Sequence, residues 1–314
     1  MEKPAKKKIK EKEPFGKHFH KYWQLYAMML LPLLYLLLFK YVPMIGNVLA
    51  FRRYRPGMSP FGTEWRGFYY FEMFFNNSQF WRAFTNTITL SLLNLAVNFP
   101  IPIIFAIFIN DVSNKYFKKF VQTVSYMPRF ISTVVVFSIV NQLLSPSSGV
   151  INQLLVDVFK INPIYFMDLP EYFRPIYVLT DTWQFTGWTA IIYLAAITGI
   201  STELYEAAAI DGASKWQMIF KVTIPSILPT VMVMLILNIG RLLSLGFEKV
   251  LLMYTPRNSV ASDIIDTFVY RLGFDKQQNY AYATAVGLFG GIVGLILVSS
   301  SNYFSRKLTG EGFY

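Results

Sequence analysis

Long apolar runs with few or no charged residues constrain the fold of this chain more than any other feature. A helix needs roughly 20 apolar residues to cross the hydrocarbon core of a bilayer. The sequence contains six such runs, and we therefore predict an all-α integral membrane protein with six transmembrane helices. The predicted spans are 22–39, 83–109, 121–144, 176–198, 223–240 and 277–305. The fifth of them could extend to residue 247.

The composition agrees with this class and excludes several others. Charged residues make up 15% of the chain and hydrophobic residues 54%, whereas a soluble domain carries about 25% charged residues. The chain has no Cys, so it cannot form a disulfide or a thiolate metal site. Its two His, His18 and His20, are read as solvated residues of a basic tail. We predict no catalytic site, cofactor or metal.

The distribution of Lys and Arg predicts that both termini are cytoplasmic. The side with the termini, the loop after the second span and the 201–229 loop carries 15 Lys and Arg, against ten on the other side. The net charge of +11 is thus read as membrane topology, and nucleic acid is not an expected partner. The first span is too long for a cleavable signal peptide and lacks a small-residue cleavage site before Pro43.

This topology predicts four segments: a cytoplasmic tail (1–21), a first helix with an aromatic-rich outer loop (22–82), a five-helix core (83–307) and a C-terminal tail (308–314). The eight Lys of the first tail have two interpretations. They either bind anionic lipid or a partner, or are simply solvated, which is the interpretation we favour.

The aromatic residues of the outer loop have two readings. An interfacial aromatic belt is the favoured one, and a platform on which sugar rings stack is the alternative. The residues concerned are Trp65, Phe68, Tyr69, Tyr70, Phe71, Phe74, Phe75, Phe80 and Trp81.

The 201–229 loop is the most informative segment. A short helix with three consecutive alanines is predicted to end at Asp211-Gly212, because Gly tolerates a positive φ. Ser214 can cap a second helix, which would place Trp216, Ile219 and Phe220 on one face. Such an amphipathic helix could dock into a partner's groove or lie on the membrane.

This loop resembles the EAA loop of permease subunits in binding-protein-dependent ABC importers. The resemblance rests on Glu206-Ala207-Ala208, Asp211-Gly212-Ala213, Phe220, and Ile224-Pro225 with Pro229. Segments 80–87, 122–132, 145–152 and 280–285 resemble the oligosaccharide-uptake branch of that family, so the likeness extends over about 22–307. Arg129 stands where such permeases often have His, and the resemblance assigns it no role.

The resemblance implies a type I ABC importer in the cytoplasmic membrane of a bacterium. The partners would be a cytoplasmic ATPase dimer, a second and different permease, an extracytoplasmic solute-binding protein and membrane lipid. The EAA loop would dock on the ATPase and couple ATP hydrolysis to alternating access. The chain has no Gly-x-x-x-x-Gly-Lys-Ser/Thr phosphate loop, so it is not expected to be an enzyme.

Polar side chains inside the spans are candidates for a translocation pathway, since they tend to face a cavity or another helix. Planar amides, Asp, Arg and aromatic faces suit a sugar, whereas interhelical hydrogen bonding is the plainer explanation of each one. The candidates are Asp181, Trp183, Gln184, Trp188, Asn238 and Arg241.

The glycines of the last span and three aspartates before it each have two possible interpretations. The glycines 287, 290, 291 and 294 of the last span indicate a close helix contact, either with a second permease or within the chain. Asp263, Asp266 and Asp275 form either an exposed docking surface for a binding protein or solvated charges.

The function expected from the sequence is therefore import of oligosaccharides or polysaccharide fragments. An ABC permease for another solute is the alternative. A self-sufficient secondary carrier fits less well, because the two halves show no internal repeat. A polytopic membrane enzyme would need a His, Asp and Glu constellation that the sequence lacks.

Overall fold

The computed structural model describes residues 15–57, 59, 61–274 and 278–309. Within this part all regular structure is helical, apart from one isolated bridge between Arg52 and Trp65. Residues 1–14 of the predicted tail, Asp275 and residues 310–314 lie outside the described residues. The helices are α1 Phe15–Leu36, α2 Tyr69–Phe75, α3 Ser78–Asn98, α4 Pro100–Asp111, α5 Lys115–Tyr126, α6 Thr133–Leu143, α7 Val150–Asp157, α8 Pro170–Thr198, α9 Thr202–Ile210, α10 Lys215–Met218, α11 Ile224–Ile239, α12 Phe247–Met253, α13 Ser259–Ser262, α14 Ile265–Phe274 and α15 Tyr280–Thr309.

The helices account for the predicted spans, although two of them are bent. Among the described residues, four helical stretches are long and apolar enough to cross a membrane: Phe19–Phe51, Ser78–Asp111, Lys215–Ile239 and Tyr280–Tyr303. Two bent helix pairs, α5 with α6 and α8 with α9, raise the number to six when each pair counts as one span. The prediction of an all-α membrane protein is confirmed.

The first stretch is longer than predicted, since it runs to Phe51 rather than ending at residue 39. None of its most apolar window is buried against the rest of the chain. The helix continues beyond Leu36 through a π turn at Leu37–Tyr41 and a 3-10 turn at Ile45–Phe51. Only the end of this stretch packs on the other helices, where Ala50 is buried.

The predicted third span is not one continuous helix. α5 continues through a 3-10 turn at Met127–Phe130, and α6 then leaves at an angle of 102°. Ser132 is the N-cap of α6, with its hydroxyl accepting a hydrogen bond from the amide of Val135. The break follows from Pro128, which removes a backbone donor, and from the Ser cap that starts a new helix.

The predicted extension of the fifth span is also wrong. α11 ends at Ile239, and Gly240 begins a turn that runs through Ser244. A Cβ at Gly240 would lie 2.7 Å from Cγ2 of Val298 on α15. The close approach of α15 therefore requires Gly at this position, and the chain turns away before Arg241.

α8 is the central helix, and it packs against α3, α4, α5 and α11. Gly187 allows α5 to approach very closely, since a Cβ there would lie 2.2 Å from the Ser125 carbonyl oxygen. Around the C-terminal half of α8, Tyr193 and Ile197 are buried with Ala106 of α4 and Ile227 of α11. This packing makes α8 one wall of the cavity described below.

Some of the aromatic residues predicted to form a belt or a platform in the loop after the first span are instead part of the hydrophobic core. Tyr70, Phe74 and Phe80 are buried, and they pack with α14 and α15. The ring centroids of Phe74 and Phe80 are 4.6 Å apart. The belt and platform readings therefore remain open only for the exposed members of the set: Trp65, Phe68, Tyr69, Phe75 and Trp81.

The glycine face of α15 has no partner within the described part of this chain. A Cβ added at Gly287, Gly290, Gly291 or Gly294 would meet nothing within 4 Å. The intramolecular reading of this face is therefore wrong. Contact with a second permease remains a prediction.

The acidic residues before and within α14 are not the exposed surface predicted from the sequence. Asp263 is fully buried. Its two carboxylate oxygens accept hydrogen bonds of 2.7 and 2.6 Å from the Arg271 guanidinium, and the Thr267 hydroxyl donates a third. Asp263 therefore anchors the start of α14, and it is unavailable for docking.

Burial raises the pKa of Asp266 to about 6. The folded protein therefore binds the carboxyl proton of Asp266 more tightly than the unfolded chain does. The protonated side chain contributes to the free energy of unfolding in full below pH 3.8, and this contribution is lost as the pH rises through about 6. We expect Asp266→Asn to raise the unfolding temperature of the detergent-solubilised protein well above pH 6. The gain should shrink as the pH is lowered, and an equal gain at every pH would contradict this explanation.

Candidate functional site

A cavity of about 530 Å³ lies between α3, α8, α11 and the turn after α11, and the 3-10 turn before α6 closes one corner. Its wall combines amides, hydroxyls and aromatic rings with a few charged side chains. The lining residues are Ser91, Asn94, Leu95, Asn98, Phe99, Arg129, Tyr177, Asp181, Phe185, Trp188, Thr189, Ile192, Tyr193, Met234, Leu237, Asn238, Arg241, Leu242, Ser244, Leu245 and Gly246.

Helical periodicity explains which residues of α8 reach this cavity. Residues 177, 181, 185, 188 and 192 recur at intervals of three and four, so they share one face of the helix. Trp183 and Gln184 are on other faces and do not line the cavity. Gln184 is buried, and its amide donates to the Ile131 carbonyl at 3.1 Å, where it supports the break before α6. Trp183 is half-exposed.

The candidate residues therefore divide into two groups. Asp181, Trp188, Asn238 and Arg241 line one cavity, although Trp188 of α8 and Asn238 of α11 are 50 positions apart in the sequence. Sequence reasoning missed Arg129 and Phe185 at the same wall. The spacing of residues along α8 could have found Phe185, whereas the position of Arg129 depends on the bend between α5 and α6.

An ion pair crosses the wall between α8 and α12. Lys249 Nζ lies 2.5 Å from Oδ1 of Asp181, and the two side chains are 8% and 13% exposed. Lys249 also donates to the Tyr177 carbonyl at 2.9 Å and lies 4.3 Å from the centre of the Tyr177 ring. Good geometry and an additional acceptor are what a buried ion pair needs to offset its desolvation.

The two arginines at the cavity differ from that pair. Neither the Arg129 nor the Arg241 side chain forms a hydrogen bond or ion pair with the residues described here. The Arg129 guanidinium carbon lies 5.1 Å from the centre of the Phe185 ring. Stacking on an aromatic face orients a guanidinium and leaves its edge free for an acceptor.

Some of the polar groups at the cavity are already paired with each other. The Asn98 amide donates to Asn94 at 2.7 Å, and its oxygen accepts from the Thr182 hydroxyl at 2.5 Å. Asn238 donates to the Met234 carbonyl one turn earlier at 2.8 Å. Asn98 therefore fits the plainer reading of interhelical hydrogen bonding, through Thr182 of α8, whereas Asn94 is paired within α3.

The 201–229 loop is a pair of short helices joined by a tight turn. α9 is capped by Ser201 and leaves α8 at an angle of 69°. It ends at Ile210, and the chain then turns at Gly212, where φ is +76° and the amides of Gly212 and Ala213 donate to the carbonyls of Ala209 and Ala208. The predicted requirement for Gly at this turn is confirmed.

A capping box starts the second helix of the loop. The Ser214 hydroxyl accepts from the Gln217 amide, and the Gln217 side chain accepts from the Ser214 amide at 2.7 Å. Local sequence was sufficient to predict the Ser214 cap.

The helix after this cap does not place its three apolar residues on one face as predicted. A π turn over Ile219–Thr223 follows α10 directly. Trp216 and Phe220 are 62% and 63% exposed, with ring centroids 6.4 Å apart. Ile219 instead turns inward and lines a recess of about 110 Å³ with Tyr205 and Asp111.

The loop is firmly connected to the helices that cross the membrane. Tyr205 Oη is 2.9 Å from the Thr223 hydroxyl, and Lys215 pairs with Asp111 of α4 at 3.2 Å. Helical structure runs from Lys215 to Ile239 without a break, because Pro225 lies in the first turn of α11 and Pro229 is accommodated within it. The exposed face of the loop is therefore linked by one helix to Asn238 at the cavity.

The remaining predicted residues of the loop lie on its surface. Glu206, Ala207, Asp211 and Gly212 are exposed, while Ala208 and Ala213 are half-buried. Ile210 is the most exposed large apolar residue of this segment. Ile210 and the exposed alanine give this surface an apolar part, flanked by the carboxylates of Glu206 and Asp211.

Comparison with known proteins gives consistent matches over nearly the whole chain. Residues 98–310 match the family described as binding-protein-dependent transport system inner membrane component. The polygalacturonan/rhamnogalacturonan transport system permease protein YteP of Bacillus subtilis (strain 168) is 45% identical over 92% of this chain and 90% of its own length. Protein LplB of the same organism is 41% identical over 92% of this chain and 91% of its own.

A solved structure agrees with the fold. A chain from the crystal structure of a bacterial ABC transporter involved in the import of the acidic polysaccharide alginate superposes with a TM-score of 0.86 and 43% identity. The match covers 95% of this chain and 100% of that one. The two chains therefore share the same overall fold. The chain belongs to the binding-protein-dependent transport system inner membrane components, the permease subunits of ABC importers.

Proposed function

We propose that this chain is the permease subunit of an ATP-driven importer of oligosaccharides or polysaccharide fragments. The solute would cross the bacterial cytoplasmic membrane by alternating access through the cavity between α3, α8 and α11. Import of saccharides is what the names of the similar permeases describe. The mixture of amides, arginines and aromatic rings at the cavity supports the same solute class.

The observation that carries the coupling mechanism is the continuous helix from Lys215 to Ile239. Its first turns present Trp216 and Phe220 to the outside, and its last turn reaches the cavity at Asn238. A partner that moves the 201–229 loop would therefore move a wall of the cavity as a rigid body. We assign the docking role to Glu206, Ala207, Ala208, Asp211, Gly212, Ala213, Trp216, Phe220, Pro225 and Pro229.

The partners follow from this assignment. ATP would be hydrolysed by a separate pair of cytoplasmic ATPase subunits, because the sequence has no phosphate-binding loop of its own. The alginate transporter has also been solved with a periplasmic protein bound to an alginate pentasaccharide, which supports an extracytoplasmic binding protein here. A second permease would complete the pathway, with both termini of this chain and the 201–229 loop in the cytoplasm.

Affinity purification of the tagged chain tests this assembly. We expect a soluble ATPase and a second permease to co-purify with it. Because the chain has no Cys, Trp216→Cys provides a single reactive thiol, which should cross-link to the ATPase. A matched thiol at exposed Trp65, on the predicted opposite side, should not cross-link. Purification of the chain alone, with no ATPase at either step, would count against the assignment.

Two tryptophans on α8 provide a matched test of the pathway. Trp188 lines the cavity and is 43% exposed, whereas Trp183 is 48% exposed on another face. We expect Trp188→Ala to lower oligosaccharide uptake about tenfold, equivalent to ~1.4 kcal/mol, through loss of a ring that contacts sugar. Trp183→Ala should change uptake less than twofold at equal membrane levels. The reverse order would place the pathway elsewhere.

A further inference from the structure

We propose that this cavity recognises carboxylate groups, so that the imported saccharides are acidic, with uronic acid units bound by Arg129 and Arg241. The inference rests on the proposed function and specifies its substrate class. It comes from the charges at the cavity wall, from the partners each charge has, and from the surroundings of the two arginines.

The charges at the wall do not balance. The charged residues that line the cavity are Arg129, Asp181 and Arg241. Asp181 is paired with Lys249 at 2.5 Å, and Lys249 itself does not line the cavity. The negative charge of Asp181 is therefore already compensated within the protein. The arginines form no ion pair with any residue that the structure describes. The wall therefore presents two uncompensated positive charges to whatever occupies the cavity.

The surroundings of these arginines favour a carboxylate over a hydroxyl. Arg129 lies in the 3-10 turn after α5, and Arg241 in the turn after α11, so they approach the cavity from different elements. A guanidinium donates two parallel hydrogen bonds to a carboxylate, and such charge-assisted pairs are roughly twice as strong as neutral ones. Near apolar walls, an anion also gains more from the two charges than it would in water.

The rest of the wall suits the sugar ring that carries the carboxylate. Trp188 and Phe185 supply aromatic faces for the C–H surface of a pyranose. The hydroxyl of Tyr193, a fully buried residue of this wall, has no hydrogen-bond partner among the described residues. A buried hydroxyl left unpaired is costly, and a sugar oxygen would pair with it once the wall opens during transport.

The test uses the complete transporter with its binding protein in proteoliposomes. ATP-dependent uptake of trigalacturonate is measured for Arg129→Gln, Arg241→Gln and the double variant. Arg129→Lys and Arg241→Lys retain the charge, and Arg306→Gln removes an exposed arginine far along α15 as the matched control. Calorimetric titration of trigalacturonate and its methyl ester into the transporter without binding protein measures binding at the cavity itself.

We expect each Gln variant to lower trigalacturonate uptake about tenfold, with partial recovery in the Lys variants and no change in Arg306→Gln. The acid should bind at least tenfold more tightly than the ester, and the double Gln variant should abolish this difference. Wild-type uptake in the double variant, or equal binding of acid and ester, would overturn the inference and leave ATP-driven saccharide import intact.

A neutral probe separates the inference from the function on which it rests. ATP-dependent uptake of neutral maltotriose in place of trigalacturonate would overturn the substrate class alone. If the wild-type transporter takes up neither saccharide with ATP and binding protein present, the proposed function fails together with the inference.

Discussion

Replacing Gly212 with valine is expected to abolish coupled uptake while the permease remains in the membrane with its partners. Gly212 has a φ of +76°, a conformation that a β-branched residue strongly disfavours. Holding such a residue there costs about 1–3 kcal/mol, so the turn between α9 and α10 would rearrange. Since this turn sets the angle between the helices that we assign to the ATPase, we expect uptake to fall more than tenfold.

The space around Gly212 indicates that the effect would act through the backbone. A Cβ at this position meets nothing within 4 Å, so valine creates no clash inside the chain. Gly57 offers a matched control, because its φ is +87° and its surroundings are equally open. Gly57→Val carries the same backbone strain in the outer segment and should leave uptake within about twofold of wild type.

The measurements are ATP-dependent uptake and the stimulation of ATP hydrolysis by the loaded binding protein, both at equal amounts of assembled transporter. Gly212→Val should lose both properties. Normal uptake in Gly212→Val would remove the 201–229 loop from the coupling mechanism. An equal loss in Gly57→Val would attribute the effect to backbone strain in general.

Replacing Lys249 with methionine is expected to destabilise the protein more than any substitution at the surface. The side chain of Asp181 would keep a buried negative charge without its partner at 2.5 Å. Removal of one member of a buried ion pair costs about 3–5 kcal/mol, because the other charge remains desolvated. At roughly 2–4 °C per kcal/mol for a chain of this order of size, the unfolding temperature should fall by about 10 °C.

A double variant distinguishes the lost ion pair from lost packing. Asp181→Asn combined with Lys249→Met removes both charges, and it should recover most of the stability lost in Lys249→Met alone. The control is Arg53→Met, which breaks an exposed pair with Glu64 at 3.5 Å and should cost less than about 1 kcal/mol. If the double variant were as unstable as Lys249→Met, the packing of the lysine stem would be the dominant contribution.

The same ion pair bears on the substrate class. With Lys249 present, Asp181 does not oppose an acidic saccharide at the cavity wall. In Lys249→Met, the uncompensated carboxylate would repel such a substrate. We therefore expect the double variant to recover transport of an acidic saccharide together with stability.

Local chemistry was sufficient to predict the 201–229 loop, and apolar runs were sufficient to predict the class of fold. The Gly212 turn and the Ser214 cap depend on interactions among neighbouring residues, so the sequence pattern reports them directly. The predicted shared face holds for Trp216 and Phe220 but not for Ile219, which lies ~100° from Phe220 around the helix and lines the recess instead.

Long-range pairing explains what the sequence could not predict. Lys249 and Asp181 are 68 residues apart, and only the packing of α12 against α8 brings them together. Asp263 was expected to be exposed because isolated acidic residues usually are. Its burial depends on Arg271, two turns later on α14, which compensates the charge.

The cavity has some lining residues that local sequence could predict and others that depend on long-range packing. Helical spacing on α8 relates Asp181 to Trp188 and excludes Trp183, and this relation could be deduced from the sequence. On the opposite wall, Asn238 and Arg241 were predicted as candidates, whereas Arg129 was not, since it reaches the cavity through a 102° bend. Arg241 reaches it because Gly240 ends α11 against α15.

Uptake into sealed proteoliposomes tests the central claim most directly, namely that this chain is the coupled pathway of an ATP-driven importer. The chain is reconstituted with its co-purifying permease and ATPase, and labelled oligosaccharide is offered with and without ATP and binding protein. We predict accumulation only when both are present, and none by the chain alone. Uptake by the chain alone, driven by a gradient of sugar or protons, would contradict this account.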